Sequence, residues 1–340
     1  MVPALAALLA LPAAAQDMPA TEFNVVGSIG TLSMQSGKEL PFWTQQVPAE
    51  TGGKIKASVK PFTELGFKGG EIFRLVSSGT LQMATTVLAC NSGEVPRNES
   101  TDLVGLLTSF GQLADVIESW RPSYAAFLKK EHNLKLPGFC TYQAQVICCR
   151  DSLGDIADLK GRKVRASGAS QQAFVSHLGG SPLTIAFAET QAALASGVVD
   201  CAITGALSGY RRNGTKAPSS SRRCRSTSGW RRSLANLDWW NGLDGSVQDY
   251  LTKALRELET SIFEQAATET ATGLACNTTG PCPEGAPAGM TLEPLTDADD
   301  ALRTAAVKAA ILPSFAARCG ADCVRERNAG IGAKLGILIE

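Results

Sequence analysis

The sequence predicts an α/β protein of two lobes, and three observations predict it. Between Asp158 and Gly209, short apolar strands alternate with short helices. A second run of the same kind occupies Glu22 to Leu88, and the last third of the chain has a mostly helical pattern. Helices between short apolar strands imply a mostly parallel sheet covered on both faces. At 340 residues the chain has room for about two such units.

The first lobe begins with Glu22–Val26, a strand that opens into Gly27-Ser28-Ile29-Gly30. A helix is expected over 33–47 with Trp43 on its buried side, then a turn at Thr51-Gly52-Gly53 and a strand over 54–59. Glu64-Leu65-Gly66 leads to a helix over 70–77, and 82–88 is the third strand. Gly27 and Gly30 suggest a nucleotide loop, but the third glycine and the downstream acid of a dinucleotide fingerprint are missing, so the turn reads as cleft lining. Residues 91–108 read as a loop, 112–130 as a helix, and 134–139 and 143–149 as strands connecting the lobes.

In the second lobe, Gly161 turns the chain into the strand Lys163-Val164-Arg165. A helix over 170–178 ends at Gly179-Gly180 and Pro182, before the strand Leu183-Thr184-Ile185. A short helix over 188–195 then feeds the strand 198–203. Further on, Leu251, Leu255, Leu258, Ile262 and Ala266 give a helix over 247–271 one apolar face. Thr296-Asp297-Ala298-Asp299 caps another, expected to reach about Ala317 despite Pro313.

Hydrophobic residues make up 44% and charged residues 19%, as in ordinary soluble globular chains. Lys+Arg and Asp+Glu are equal at 32 each, which gives no global basic field for nucleic acid. A quarter of the basic residues, 8 of 32, is crowded into Tyr210–Ser233, YRRNGTKAPSSSRRCRSTSGWRRS, which has almost no aliphatic residues and no strand or helix period. Three accounts of it stand: a pair of compensating frame errors, a disordered basic loop, and a phosphate-binding arm.

The first 15 residues read as a secretory signal, with an apolar Leu5–Leu11 core and Ala13-Ala14-Ala15 before the cleavage point. No later stretch approaches the roughly 18 consecutive apolar residues of a membrane span. Ten cysteines suit an oxidising location. Cys276 and Cys282 flank CNTTGPC, and Cys319 and Cys323 flank CGADC. Disulfides are expected there, with a four-cysteine zinc site as the alternative, and pairing within or between the two loops stays open. Cys148 or Cys149 is placed to bridge to Cys201. A thiol catalyst needs a histidine partner, and neither His132 nor His177 has a context that recommends it. No cofactor, metal or catalytic residue is expected.

Ligands of such sheets sit at the carboxyl ends of the strands. Arg165 and Thr204 lie at two of these ends, and a guanidinium fork grips a carboxylate through two parallel hydrogen bonds. From the first lobe, Ser28, Thr85 and Thr86 are candidates because they end strands. Phe187 is expected to pack behind the site, and Trp240 either closes over the ligand or packs in the core.

DLKGRKVR, the LGG-SP-L turn, FAET-QAALASGVVD, the Thr141–Arg150 strand, GGKIKASVKPFTELGFKGGEIFRLVSSGTLQMATT and NLDWWNGLD all occur in the chain. Together they make it resemble the DctP-like substrate-binding proteins of tripartite ATP-independent periplasmic (TRAP) transporters, over 22–209 and 234–337. The resemblance implies a two-lobed periplasmic binding protein fold with a helical C-terminal part. It places the lobes at 16–135 and 136–209, an anomalous segment at 210–233, and the helical part at 234–340. It assigns the carboxylate contact to Arg165, the arginine of the GRKVR strand. Thr204 stands where the family often has Asn. A second arginine one strand earlier is replaced by Tyr142-Gln143-Ala144-Gln145, with Arg150 just outside, so a monocarboxylate suits the site better than a dicarboxylate. The implied function is a monomeric receptor that captures a small organic acid and delivers it to the membrane subunits of a TRAP permease. The alternatives are a periplasmic sensor module or an exported enzyme acting on a carboxylic acid.

Overall fold

The computed structural model describes residues 18–213, 220–226 and 230–340, and within 212–232 the backbone alone. The expected signal peptide lies outside the described residues. Two sheets organise the chain. The first uses β1 (Thr21–Gly27), β2 (Ile55–Pro61), β3 (Met83–Val87) and β4 (Leu134–Thr141). The chain then crosses into the second sheet with β5 (Gln145–Cys149), β6 (Lys163–Ala166), β7 (Ser181–Thr184), β8 (Cys201–Gly205) and β9 (Ser220–Ser226). It returns to the first sheet as β10 (Trp230–Asn236), and β11 (Thr291–Glu293) later edges the second. The strand orders are β2-β1-β3-β10-β4 and β11-β9-β5-β8-β6-β7.

The strand–helix repeats predicted from alternation give the parallel pairs β1/β2, β1/β3, β6/β7 and β6/β8. The crossing strands run antiparallel: β10 lies between β3 and β4, and β5 between β8 and β9. The two passages between the sheets are therefore neighbours, β4 to β5 outward and β9 to β10 back.

Tyr210–Ser233 shows no strand or helix period in its sequence, yet its described residues form regular elements. Part of the helix Ala206–Asn213, all of β9 and the first half of β10 fall within it. A sheet is joined through backbone N–H and C=O groups, which every residue of these two strands possesses, since neither contains proline. The apolar alternation that signals a strand is absent, so the sequence hid them. Neither strand is a free basic arm. Residues 214–219 and 227–229 lie outside the described residues.

The first sheet is covered on one face by Trp43, Val47, Leu251, Leu255 and Ile262, which meet Phe23 and Val25. Ile72, Val76, Leu113, Val116 and Trp120 cover the other face around Val26 and Ala84. The helix Gly245–Asn277 supplies part of the first of these layers and then reaches the second sheet. There Gly273 lies so close to the Leu207 backbone that no side chain fits. The predicted Thr296 cap closes a capping box with Asp299, but the helix behind it is Asp297–Ala306. A π-type turn at Val307–Ile311 separates it from Leu312–Arg327.

Candidate ligand-binding site

A cavity of about 820 Å³ lies between the two sheets, within the roughly 300–1,000 Å³ usual for small-molecule sites. Its second-sheet wall includes Gln145, Arg165, Ile185, Phe187 and Thr204. Its first-sheet wall includes Ile29, Leu32, Phe62, Phe67, Val87 and Ala89.

Arg165 sits next to last on β6, where the strand ends at the cavity. It is 6% exposed. Its Nε donates to the Ile185 carbonyl at 3.0 Å and its Nη1 to the Ile203 carbonyl at 2.7 Å. Both acceptors are neutral, and no carboxylate pairs with it among the described residues. A guanidinium has five N–H groups, so two bonds fix its plane and leave three N–H groups, one on Nη1 and two on Nη2, for a ligand. Burial pulls its pKa down to about 10, so it remains a cation at neutral pH. The other cations on the cavity are engaged. Lys68 pairs with Glu189 at 3.6 Å and Arg74 with Glu94 at 3.2 Å, all four well exposed.

Thr204 lines the cavity next to the Ile203 carbonyl that holds Arg165. It is 6% exposed, and its hydroxyl makes no hydrogen bond among the described residues. Gln145, which sequence reasoning did not single out as a site residue, lines the cavity at the start of β5, directly opposite Gly205. It is 8% exposed, and its amide is likewise without a partner among the described residues. Its one sequence signal was a polar residue heading the otherwise apolar strand Val146-Ile147-Cys148-Cys149. Other polar groups of the lining are committed. Ser167 donates to Gln171, Ser208 donates to Gln143, and Thr63 accepts from the Gly30 N–H. Phe187 forms part of the lining itself.

The structure does not bring the other candidates to the cavity. Ser28 is fully buried. Its backbone N–H is taken by Gln35 and Glu39, and its hydroxyl accepts from the Ile29 N–H. Thr85 and Thr86 lie inside the first sheet, paired with Ser233 and Arg232 of β10. Beyond them, Val87, Ala89 and Cys90 line the cavity instead. Trp240 belongs to the core with Phe23 and Leu251, under Lys135, whose ammonium lies 5.3 Å from its ring centre. Of its two expected roles, core packing is the one seen.

The two walls meet at a tight seam. A Cβ on Gly168, just after β6, would lie 2.9 Å from the Ala89 Cβ. The next N–H groups, of Ala169 and Ser170, donate to Ser92 Oγ at 3.3 Å and to the buried Glu99 carboxylate at 2.7 Å. Arg318 pairs with the same carboxylate at 2.8 Å. Cys90 opens onto the cavity close to Arg165, but surrounding protein pushes its thiol pKa up to about 11, so it is no thiolate at neutral pH.

Cys149 and Cys201 face each other across β5 and β8 and are disulfide-bonded. Cys276, at the end of the helix Gly245–Asn277, is joined to Cys282, and Cys319 to Cys323 within Leu312–Arg327, so these four sulfurs form no common cluster. Cys140 and Cys148 are buried.

With this geometry, the chain matches over residues 27–299 the family described as DctP, bacterial extracellular solute-binding protein, family 7. Among solved structures it is similar to a Bordetella pertussis extracytoplasmic solute receptor binding pyroglutamic acid, with TM-score 0.80 and 22% identity over 91% of this chain and 99% of that one. It is also similar to a Desulfovibrio salexigens TRAP periplasmic solute-binding protein with bound orotic acid, with TM-score 0.80 and 17% identity over 93% and 98%. A third is the corresponding protein of Sulfitobacter sp. NAS-14.1 with bound β-D-galacturonate, with TM-score 0.78 and 15% identity over 92% and 100%. At these identities the likeness concerns the fold. No curated protein matches. The family match spans most of the chain, and the chain belongs to the bacterial extracellular solute-binding protein family 7.

Proposed function

We propose that this family member is the periplasmic receptor of a TRAP transporter. It takes up a small organic acid between its sheets, holds the carboxylate on Arg165, and presents the closed complex to the membrane permease. The observation that carries this reading is Arg165, a buried cation held rigid by two backbone carbonyls with no carboxylate of its own among the described residues. Burying a charge without a counter-charge is costly, and a solute carboxylate supplies the missing partner by accepting from the remaining Nη1 and Nη2 N–H groups. That the similar structures hold pyroglutamate, orotate and galacturonate, each a carboxylate, supports the same assignment. The role is capture and release without chemical change, by a monomer that needs neither metal nor cofactor. Hinge closure follows from the two-sided cavity, because a solute touches both walls only in the closed form.

The test is calorimetric titration of the purified protein with a panel of small carboxylic acids, beside Arg165→Ala. The proposal expects saturable binding of one class of acid that Arg165→Ala loses. Binding that survives the substitution, or a preference for uncharged solutes, would overturn it.

A further inference from the structure

Resting on the reading of Arg165 as the carboxylate clamp, we propose that Gln145 determines specificity, selecting acids with a single carboxylate and an uncharged hydrogen-bonding group such as a ring amide or hydroxyl. Two independent observations converge on this. The first is the state of the Gln145 amide. More than nine-tenths of the residue is buried, it lines the cavity, and its amide makes no hydrogen bond among the described residues. A buried amide left unmade is costly, so the position suits a group that a ligand completes. An amide offers a donor and an acceptor side by side and matches either a lactam or a hydroxyl, whereas a second carboxylate could use only its donor side. The Thr204 hydroxyl, also without a partner among the described residues, stands one residue before Gly205, which lies opposite Gln145, and adds a further neutral partner.

The second observation is the charge of the lining. Of its three cations, Arg165 alone lacks an acidic partner among the described residues, because Lys68 and Arg74 are paired with Glu189 and Glu94. Glu71 also borders the cavity. A second solute carboxylate would therefore meet acids and engaged cations. Its desolvation would go uncompensated, which is the means by which a site rejects a competitor.

Three probes separate the contributions: pyroglutamate, cyclopentanecarboxylate and glutarate. The first two share ring size and charge and differ in the lactam, and the third adds a carboxylate. Titration of the full protein should give pyroglutamate at least tenfold tighter than cyclopentanecarboxylate, with glutarate weakest. Gln145→Leu should erase the difference between the two ring acids while leaving cyclopentanecarboxylate affinity within about threefold. Gln145→Arg, which supplies the missing second cation, should raise glutarate above both. A circular-dichroism melt of each variant identifies any that fails to fold, and the remaining variant then decides. If the ring acids bind but Gln145→Leu keeps their ratio, and Gln145→Arg gains no glutarate binding, the inference about Gln145 is wrong and the carboxylate receptor stands. If none of the three binds the unmodified protein and Arg165→Ala changes nothing across a wider panel, the receptor reading itself is wrong.

Discussion

The wall from the second sheet presents Arg165, Thr204 and Gln145 with polar groups open to the cavity, whereas the wall from the first sheet meets it with the apolar Ile29, Leu32, Phe62 and Val87 and with charged residues already engaged, Lys68, Glu71, Arg74 and Glu94. Both walls come from the same strand–helix repeat with parallel pairing. They differ in which part of the repeat reaches the cavity. In β6 and β8 the strand ends Arg165, Thr204 and Gly205 do so, while the first sheet offers one strand end, Val87 of β3, and otherwise residues beyond β2 and β3, Phe62, Phe67, Ala89 and Cys90. On the proposed reading, one wall reads charge and hydrogen bonds, and the other supplies shape and excludes water. Excluding water would strengthen the proposed Arg165–carboxylate contact, because Coulomb attraction grows as the effective dielectric falls. The proposal therefore needs the apolar wall to close on the polar one.

Removing the polar wall's charge should have the largest effect. Arg165→Ala is expected to cost about 2–5 kcal/mol of carboxylate affinity, the range for truncating one partner of a buried charge pair. Calorimetry reads it directly. The same contact predicts a pH dependence. Affinity should hold steady through neutral pH and fall as pH passes about 10, where the buried guanidinium loses its proton. The sign for stability is opposite. The folded value is depressed from 12.5, so the unfolded chain holds the proton longer, and the unliganded protein gains from this group between the two values.

Next comes the seam. A valine at Gly168 would press on Ala89 and prop the walls apart. Gly168→Val is expected to weaken binding by about 1–3 kcal/mol, in line with overpacking elsewhere. It should weaken all acids alike, seen as parallel loss across the panel. The apolar wall should respond less. Phe67→Ala, a half-buried ring on the cavity, is expected to cost about 1–2 kcal/mol of affinity from lost apolar burial, again without changing preference among acids. The smallest effect belongs to the cross-cleft ion pair. Lys68→Ala breaks an exposed pair with Glu189 and should change affinity by at most about 1 kcal/mol, fading further in salt. If Lys68→Ala proved as damaging as Arg165→Ala, the division between the walls would be wrong.

The polar wall was largely legible in the sequence and the apolar wall was not. The place of Arg165 and Thr204 on the cavity could be read because a glycine turn, a short apolar strand and a helix start fix where a parallel strand ends. The same rule applied to β1 and β3 pointed to Ser28, Thr85 and Thr86, whose surroundings are set by partners outside their own strands. Glu39 folds back on Ser28, and β10, well over a hundred residues away in sequence, covers Thr85 and Thr86. Trp240 could be read as lid or core, and its burial in the cluster that holds Phe23 and Leu251 decided for the core.

β10 is the sharpest contrast with β6. Both are internal to their sheets, yet the sequence of β10 begins Trp230-Arg231-Arg232-Ser233, with none of the alternation that announces a strand. Its pairing to β3 and β4 rests on the backbone. Resequencing the coding DNA through 210–233 tests the frame-error account. An apolar, aromatic reading on both strands of the crossing would support it, and an unchanged frame would end it.

The most direct test of the two-wall account is a crystal structure with a bound acid that the panel identifies. The account predicts the carboxylate within hydrogen-bond distance of the Nη1 and Nη2 nitrogens of Arg165, with Thr204 and Gln145 on the rest of the solute and Phe62 and Phe67 across from it. A carboxylate seated instead on Lys68 or Arg74, with Arg165 untouched, would contradict it.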